Sequence, residues 1–229
     1  MQTLSPTPRT TPTRLSDRMV AERDRLFALL EDALVAHLGV TVGGGGDGGP
    51  GHPLVLPTAY AVRRDGPDAG GTLYLHGSTG AGWLRAALAA DVCVTVTEVD
   101  GLVLARSAFH HSMNYRSAVV IGRARLVDDP AERADALDRI VDHIVPGRSA
   151  TLRASTRKEL AATAVLALSL HEASLKERAG GPIDDPEDVV GDVWAGHLPL
   201  RRVADAPVRA ADSHADLPVD VRARAEALA

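Results

Sequence analysis

Residues 102–120 read LVLARSAFHHSMNYRSAVV. Both ends have the apolar, partly β-branched character of buried strands. Between them stand Arg106, Ser107, His110, His111, Ser112, Asn114, Tyr115, Arg116 and Ser117. A connection between strands needs only a few turn formers such as Gly, Asn or Asp. A buried polar group without a hydrogen bond costs about 1–3 kcal/mol. Polar side chains gathered between two apolar flanks therefore predict a specific partner, either a ligand, a second subunit or both.

Working outward, the flanks become the fifth and sixth strands of a series. Upstream, VAHLGVTV, PLVLPTAYAVRR, TLYLHGS and DVCVTVTEVDG read as strands, with Asp100-Gly101 as a hairpin turn before the fifth. The run GGGGDGGPGH (43–52) reads as a hairpin loop, because it lacks a Gly-Lys-Ser/Thr ending and leads into a strand rather than a helix. Helices are expected from Ser16 to Leu34, over TGAGWLRAALAAD, over PAERADALDRIVDHIV with Pro130 in its first turn, and from STRKEL. TAVLALSLHEASLKER reads as one further strand and VWAGHLPLRRV as a short last one. Sequential strands joined by short turns, with helices at the edges, predict a mainly β, antiparallel fold that forms a closed or nearly closed barrel. Residues 1–15 read as a disordered arm, 16–202 as the folded domain, and 203–229 as a loosely structured or weakly helical tail.

The chain has 229 residues, with 45% hydrophobic and 24% charged residues and a net charge of −5. That balance suits one globular domain and argues against a nucleic-acid or anionic-membrane surface. Lys158 and Lys176 are the only lysines, so Schiff-base chemistry has few candidates. Cys93 is the single cysteine, which excludes an intrachain disulfide, and its VCVTV context reads as core. The Thr- and Pro-rich start has no apolar segment of a secretory signal, and no run reaches the length of a membrane span. A cytoplasmic location is the expectation.

Seven aromatic residues occur, and five of them (Tyr60, Tyr74, Trp83, Phe109 and Tyr115) fall within residues 60–115. Such clustering suits a flat apolar ligand as well as a barrel core. Tyr74-Leu-His76-Gly-Ser78 ends a strand and runs into a helix start, where backbone amides, Ser78, Thr79 and Arg85 could meet an anion. The histidines show no metal-ligand spacing, and adjacent His110 and His111 point to opposite faces of an extended chain, so no metal is expected. Neither Ser107 nor Ser112 lies in a Gly-x-Ser-x-Gly elbow. The acidic run at 184–188 reads as a solvated loop and helix start.

LHGS with the short helix after it, DGLVLARSAFHHSMNYRSAVV, VIGRA, PGR, EASLKERAGGPIDDPED and WAGHLPL together resemble the pyridoxamine 5′-phosphate oxidase-like, FMN-binding split-barrel family. The resemblance runs from about residue 16 to 200. It is nearest to the branch containing nitroimidazole-resistance and flavin-nucleotide-binding proteins. It implies a six-stranded antiparallel split β-barrel, a homodimer, and FMN in two symmetric clefts between subunits. Pro57, Thr58 and Tyr60 would then lie along the flavin. Tyr74, His76, Gly77 and Ser78, with Trp83, Leu84 and Arg85 of the next helix, would serve the ribityl chain and phosphate. Asn114, Tyr115, Arg116 and Ser117 would approach the dimer cleft. Relatives commonly carry Arg or Lys where this chain has Gly82-Trp83, and the loss of one charge-assisted contact is worth about 1.5–3 kcal/mol.

The implied activity is flavin-dependent transfer of electrons from a reduced nicotinamide to a small planar acceptor. The flavin supplies the electron chemistry, so no side chain needs to be the acid or base, and His76 and His111 are named as candidates for that role. The substrate-phosphate segment of true pyridoxamine-phosphate oxidases is not seen in the tail, so vitamin B6 synthesis is not expected. The alternatives are a flavin-binding or storage module without turnover, and the same barrel holding haem or a deazaflavin.

Overall fold

The computed structural model describes residues 4, 7–11, 13–43 and 51–229. Its elements are β1 (Met19–Val20), α1 (Arg23–Asp32), β2 (Ala36–Val42), β3 (His52–Thr58), β4 (Tyr60–Arg63), β5 (Thr72–Ser78), α2 (Gly82–Ala89), β6 (Val92–Leu104), β7 (Ser112–Gly122), β8 (Arg125–Leu126), α3 (Pro130–Ile144), α4 (Arg157–Ala162), β9 (Thr163–Ser169), β10 (Ala173–Arg178), β11 (Gly196–Pro199) and α5 (Val219–Ala227). Most of the glycine-rich loop expected at 43–52 lies outside the described residues.

The strands form two antiparallel sheets. The larger runs β1-β10-β7-β6-β2-β3, with β11 added to β6, and the smaller runs β4-β5-β9-β8. Among the described residues, six strands reach seven residues (β2, β3, β5, β6, β7 and β9), and short segments extend the sheets around them. The mainly β, antiparallel fold with flanking helices is therefore present, with its barrel divided between two sheets.

Strand alternation builds two cores. On β5, Leu73 and Leu75 face the interior between the sheets, where Leu26, Leu29 and Leu30 of α1 close one end. Tyr74 faces the other way and packs with Val165 and Ala167 beneath Ala136 and Ile140 of α3. Helix α3 starts as its sequence dictates, with Pro130 in the first turn and the Asp129 carboxylate accepting from the Glu132 amide at 2.7 Å. Helix α4 carries a reciprocal Thr156/Glu159 capping box.

Four elements differ from the sequence reading. Helix α1 begins at Arg23, and Met19–Val20 pairs with Leu175 and Lys176 of β10 instead of extending the helix. The run 53–64 is two strands, broken at Ala59, because β3 pairs with β2 in one sheet and β4 with β5 in the other. The run 163–178 is likewise two strands, β9 and β10, which also change sheets. Asp100-Gly101 is not a hairpin turn, since β6 continues through it with a bulge between Val99 and Gly101. Glycine is needed there for a different reason: a Cβ at 101 would lie 3.0 Å from the Leu198 carbonyl oxygen of β11. The chain reverses instead over residues 105–111.

Within residues 1–15, Leu4 is buried, and the Arg9 guanidinium bridges Asp91 and Glu172. At the other end, β11 adds to β6, and Arg202 donates to Glu98 and to the Asp32 carbonyl. Those contacts lay residues 196–202 against the barrel.

Candidate functional site

The two sheets part where β3 ends at Thr58 and β4 begins at Tyr60. A cavity of about 140 Å³ opens at that parting, lined by Leu38, Leu56, Pro57 and Thr58 from the larger sheet, Leu75 and His76 from the smaller, and Trp83 of α2. Pro57 is tolerated because β3 is the edge of its sheet, where a missing amide breaks no ladder. Gly77 shapes the wall. A Cβ there would lie 2.4 Å from Cζ2 of Trp83 and 2.8 Å from its Cη2, so the indole rests directly on the backbone of β5.

His76 has the least satisfied ring in this wall. Its Nδ1 is buried without a hydrogen-bond partner, and Nε2 has none among the described residues. Burial lowers the imidazole pKa, so the neutral ring dominates at pH 7, with one nitrogen able to donate and the other to accept. Alternation sets His76 on the face of Tyr74, directly across from Val165 on β9. The turn after it is internally bonded. The Ser78 hydroxyl accepts from the Gly80 amide at 3.3 Å, and the Thr79 amide donates to the Ala162 carbonyl at 3.0 Å. Arg85, one turn into α2, is exposed and has no ion pair or side-chain hydrogen bond.

The structure thus brings Pro57, Thr58, His76 and Trp83 together, with Gly77 beneath the indole and Ser78 and Arg85 nearby in the chain. It places Tyr60, Tyr74 and Leu84 in the core. The Tyr60 hydroxyl donates to the Leu30 and Ala33 carbonyls at 2.7 and 2.9 Å, which caps the end of α1, and burial raises its pKa. The Tyr74 hydroxyl donates to Glu132 at 3.0 Å, and burial with that carboxylate pushes its pKa up to about 12. Arg125 clasps both Glu132 and Asp68 and holds the two carboxyls below their usual range.

The run Asn114–Ser117 lies on the larger sheet, and alternation divides it. Asn114 and Arg116 turn to one side. Asn114 donates to the Gly180 carbonyl at 3.1 Å, while Arg116 holds Asp100 at 3.0 and 2.9 Å and Asp32 at 3.0 Å. Tyr115 and Ser117 share the opposite face with Met113, and the Ser117 hydroxyl bonds Thr97 at 3.0 Å. In the reversal, Asp184 accepts from the Arg106 amide and guanidinium at 2.9 and 2.7 Å, and His110 meets Asp185 at 3.1 Å. His111 bonds the Ser107 carbonyl oxygen at 2.9 Å and stays exposed. Arg106, His110 and Asn114 are therefore bonded by residues 178–185 of the same chain, while the buried Ser107 hydroxyl has no hydrogen-bond partner among the described residues. Asp184, expected in a solvated loop, has a side chain only 2% exposed.

Sequence reasoning missed Leu38 and Leu75, which line the cavity but carry only an ordinary core pattern. The register of β2 and β5 was the information needed. Among the described residues no group of three or more His, Cys, Asp or Glu side chains is arranged to hold a metal ion. No helix among them is long and apolar enough to cross a membrane.

Two antiparallel sheets with a cavity at their parting, flanked by a short helix, define a class. The chain belongs to the pyridoxamine 5′-phosphate oxidase family, whose model matches residues 22–177. Among solved structures, the flavocytochrome Anf3 from Azotobacter vinelandii is 34% identical, with 96% of this chain and 98% of that one covered and a TM-score of 0.84. The FAD and heme binding protein from Mycobacterium smegmatis is 40% identical, with 90% and 96% covered and a TM-score of 0.79. A Bacteroides thetaiotaomicron protein named for 5-nitroimidazole antibiotic resistance shares the fold at 21% identity, with 69% and 85% covered and a TM-score of 0.54. No curated protein matches the chain.

Proposed function

We propose that this protein binds a flavin at the parting of its two sheets and acts as a flavin-dependent oxidoreductase on a small planar acceptor. The observation that carries the reading is the neutral, unpartnered His76 ring in the wall of a cavity otherwise made of Leu38, Leu56, Leu75, Pro57, Thr58 and the Trp83 indole. Apolar walls with a flat aromatic side and one or two polar anchors suit a planar heteroaromatic ring. Pro57, Thr58, His76 and Trp83 would hold that ring, and the flavin when bound supplies the electron transfer. The dinucleotide FAD, rather than FMN, is the favoured form, because the Mycobacterium smegmatis protein, 40% identical over most of both chains, is named for FAD.

A homodimer completes this reading. At about 140 Å³ the cavity of one chain lies below the roughly 300–1,000 Å³ of small-molecule sites. Across β11, β6 and β7 the register aligns Leu198, Leu102 and Met113, which are 54%, 41% and 50% exposed. Together with Val99 and Tyr115 they form an outward apolar face that a second copy would cover.

Haem is the second reading, favoured by the names of the flavocytochrome Anf3 and of the FAD and heme binding protein. His76 fits that group too, since an axial ligand needs an imidazole nitrogen with no other partner. The test is to purify the protein, record its absorption spectrum, and titrate it with FAD, FMN and haemin. A flavin band near ~450 nm or tight flavin binding on titration supports the first reading, and His76→Ala should weaken it. A Soret band lost in His76→Ala supports the second. A dimer that takes up none of the three ligands overturns both.

A further inference from the structure

A second cavity begins beside the first. It has a volume of about 280 Å³ and lies between α2, α4 and the β8–β9 pair. The register ties the two together: His76, Gly77 and Ser78 on β5 stand opposite Val165, Ala164 and Thr163 on β9, and those three residues line the second cavity. Helix α2 is shared as well, with Trp83 facing the first cavity and its neighbour Leu84 facing the second. Neighbouring strands are about 4.8 Å apart, so the two spaces begin within one strand spacing of each other.

The chemistry of this second space is uneven. Its floor is apolar, from Leu84, Leu88, Ala164 and Val165. Two charged residues line it, Asp128 and Arg133. Among the described residues Arg133, in the first turn of α3, makes no ion pair and no side-chain hydrogen bond, whereas the half-buried Arg63, Arg106, Arg116 and Arg125 are each paired with carboxylates. Asp128 forms no ion pair with it. A guanidinium left free over an apolar slot suits a phosphate, which it can meet with two parallel donors. A carboxylate at the same slot suits an amino group on a flat heterocycle, such as the exocyclic amine of adenine.

We propose that this groove receives the adenosine monophosphate half of FAD, the part that FMN lacks, with the adenine on the Leu84–Leu88 floor near Asp128 and its phosphate toward Arg133. This rests on the flavin reading of the first cavity. Size favours the same conclusion. The first cavity alone falls short of the range for small-molecule sites, and the two together fall within it. FMN ends at a single phosphate and has nothing to place in the groove, so the groove makes the site selective for the dinucleotide.

The experiment measures dissociation constants for FAD, FMN and ADP on the full-length protein and on Arg133→Ala and Ala161→Trp. Ala161 is exposed and lines the groove, so the larger ring fills it without entering the core. Wild type should bind FAD at least tenfold more tightly than FMN. Each variant should weaken FAD at least tenfold and change FMN less than twofold, and excess ADP should compete with FAD on wild type but not on Ala161→Trp. Equal affinity of wild type for the two flavins overturns the proposal, as do equal losses for both flavins or no loss for either. If wild type binds neither flavin, the reading of the first cavity fails. ADP binding that is lost in Ala161→Trp would then still support the groove as a nucleotide site, and no ADP binding would remove it.

Discussion

Gly77→Ala tests whether the Trp83 indole is seated on β5 as described. The added methyl would lie 2.4 Å from Cζ2 and 2.8 Å from Cη2 of the ring. Carbon contacts are optimal near 3.5–4.0 Å, so the ring must retreat by roughly an ångström. It cannot retreat freely, because Trp83 packs against the core that includes Leu84 and Ala87. Overpacking of this kind costs about 1–3 kcal/mol. For a chain of this length each kcal/mol lowers the melting temperature by about 2–4 °C, so a drop of roughly 2–12 °C is expected. The decisive assay is a double-mutant cycle with Trp83→Ala, followed by thermal unfolding. With the indole gone the methyl meets nothing, and the cost of Gly77→Ala should fall toward zero. In a Trp194→Phe background Trp83 is the only tryptophan, and its emission should shift to the red in Gly77→Ala as the ring is pushed outward. Equal costs in both backgrounds, within about 0.5 kcal/mol, would refute the seating argument.

Tyr60→Phe leaves the Leu30 carbonyl at the end of α1 without its buried side-chain donor, while the Ala33 carbonyl keeps His143, and should cost about 1–3 kcal/mol in urea unfolding while leaving flavin affinity intact. A matching loss of flavin affinity would return Tyr60 to the cofactor site. Burial lowers the pKa of both His76 and His143, so the unfolded chain takes up protons first as pH falls. The stability linked to these neutral rings is complete above about pH 6.5 and declines below it. His143→Gln, which keeps a donor for the Ala33 carbonyl, should flatten the decline between pH 7 and 5, and an unchanged slope would contradict this. Arg125 holds Asp68 and Glu132 below their usual carboxyl range, so its contribution is present above about pH 4.3 and is lost as pH falls further. Arg125→Met should therefore lower the melting temperature clearly at pH 7 and hardly at all at pH 2.5, and equal losses at both would sink the account.

Local patterns were read most accurately where local chemistry decides. Strand β5 ends at Ser78 and α3 starts at Pro130 as their sequences predict, because an alternating apolar run and a Pro/Asp cap need no distant partner. The misread elements share a cause. At Ala59 and between Ser169 and Ala173 the chain changes sheets, and nothing in LPTAYAVRR or ALSLHEASL marks that crossing. Asp100-Gly101 has the composition of a tight turn, yet its glycine makes room for β11, almost a hundred residues later. The site divides along the same line. His76, Gly77 and Trp83 stand out in the sequence, but Leu38 and Leu75 do not, because their place at the cavity depends on which strands meet.

The sequence by itself determined the family, the mainly β fold and the segments from which a cofactor cleft could be built, since these follow from periodicity, capping residues and contiguous motifs. Tertiary structure alone decided which polar residues are already bonded. Arg106, His110 and Asn114 find partners in residues 180–185, some seventy positions away, while His76 and Arg133 find none. Satisfaction of a polar group depends on distances of about 3 Å between side chains remote in sequence, and only the packed sheets bring those side chains together.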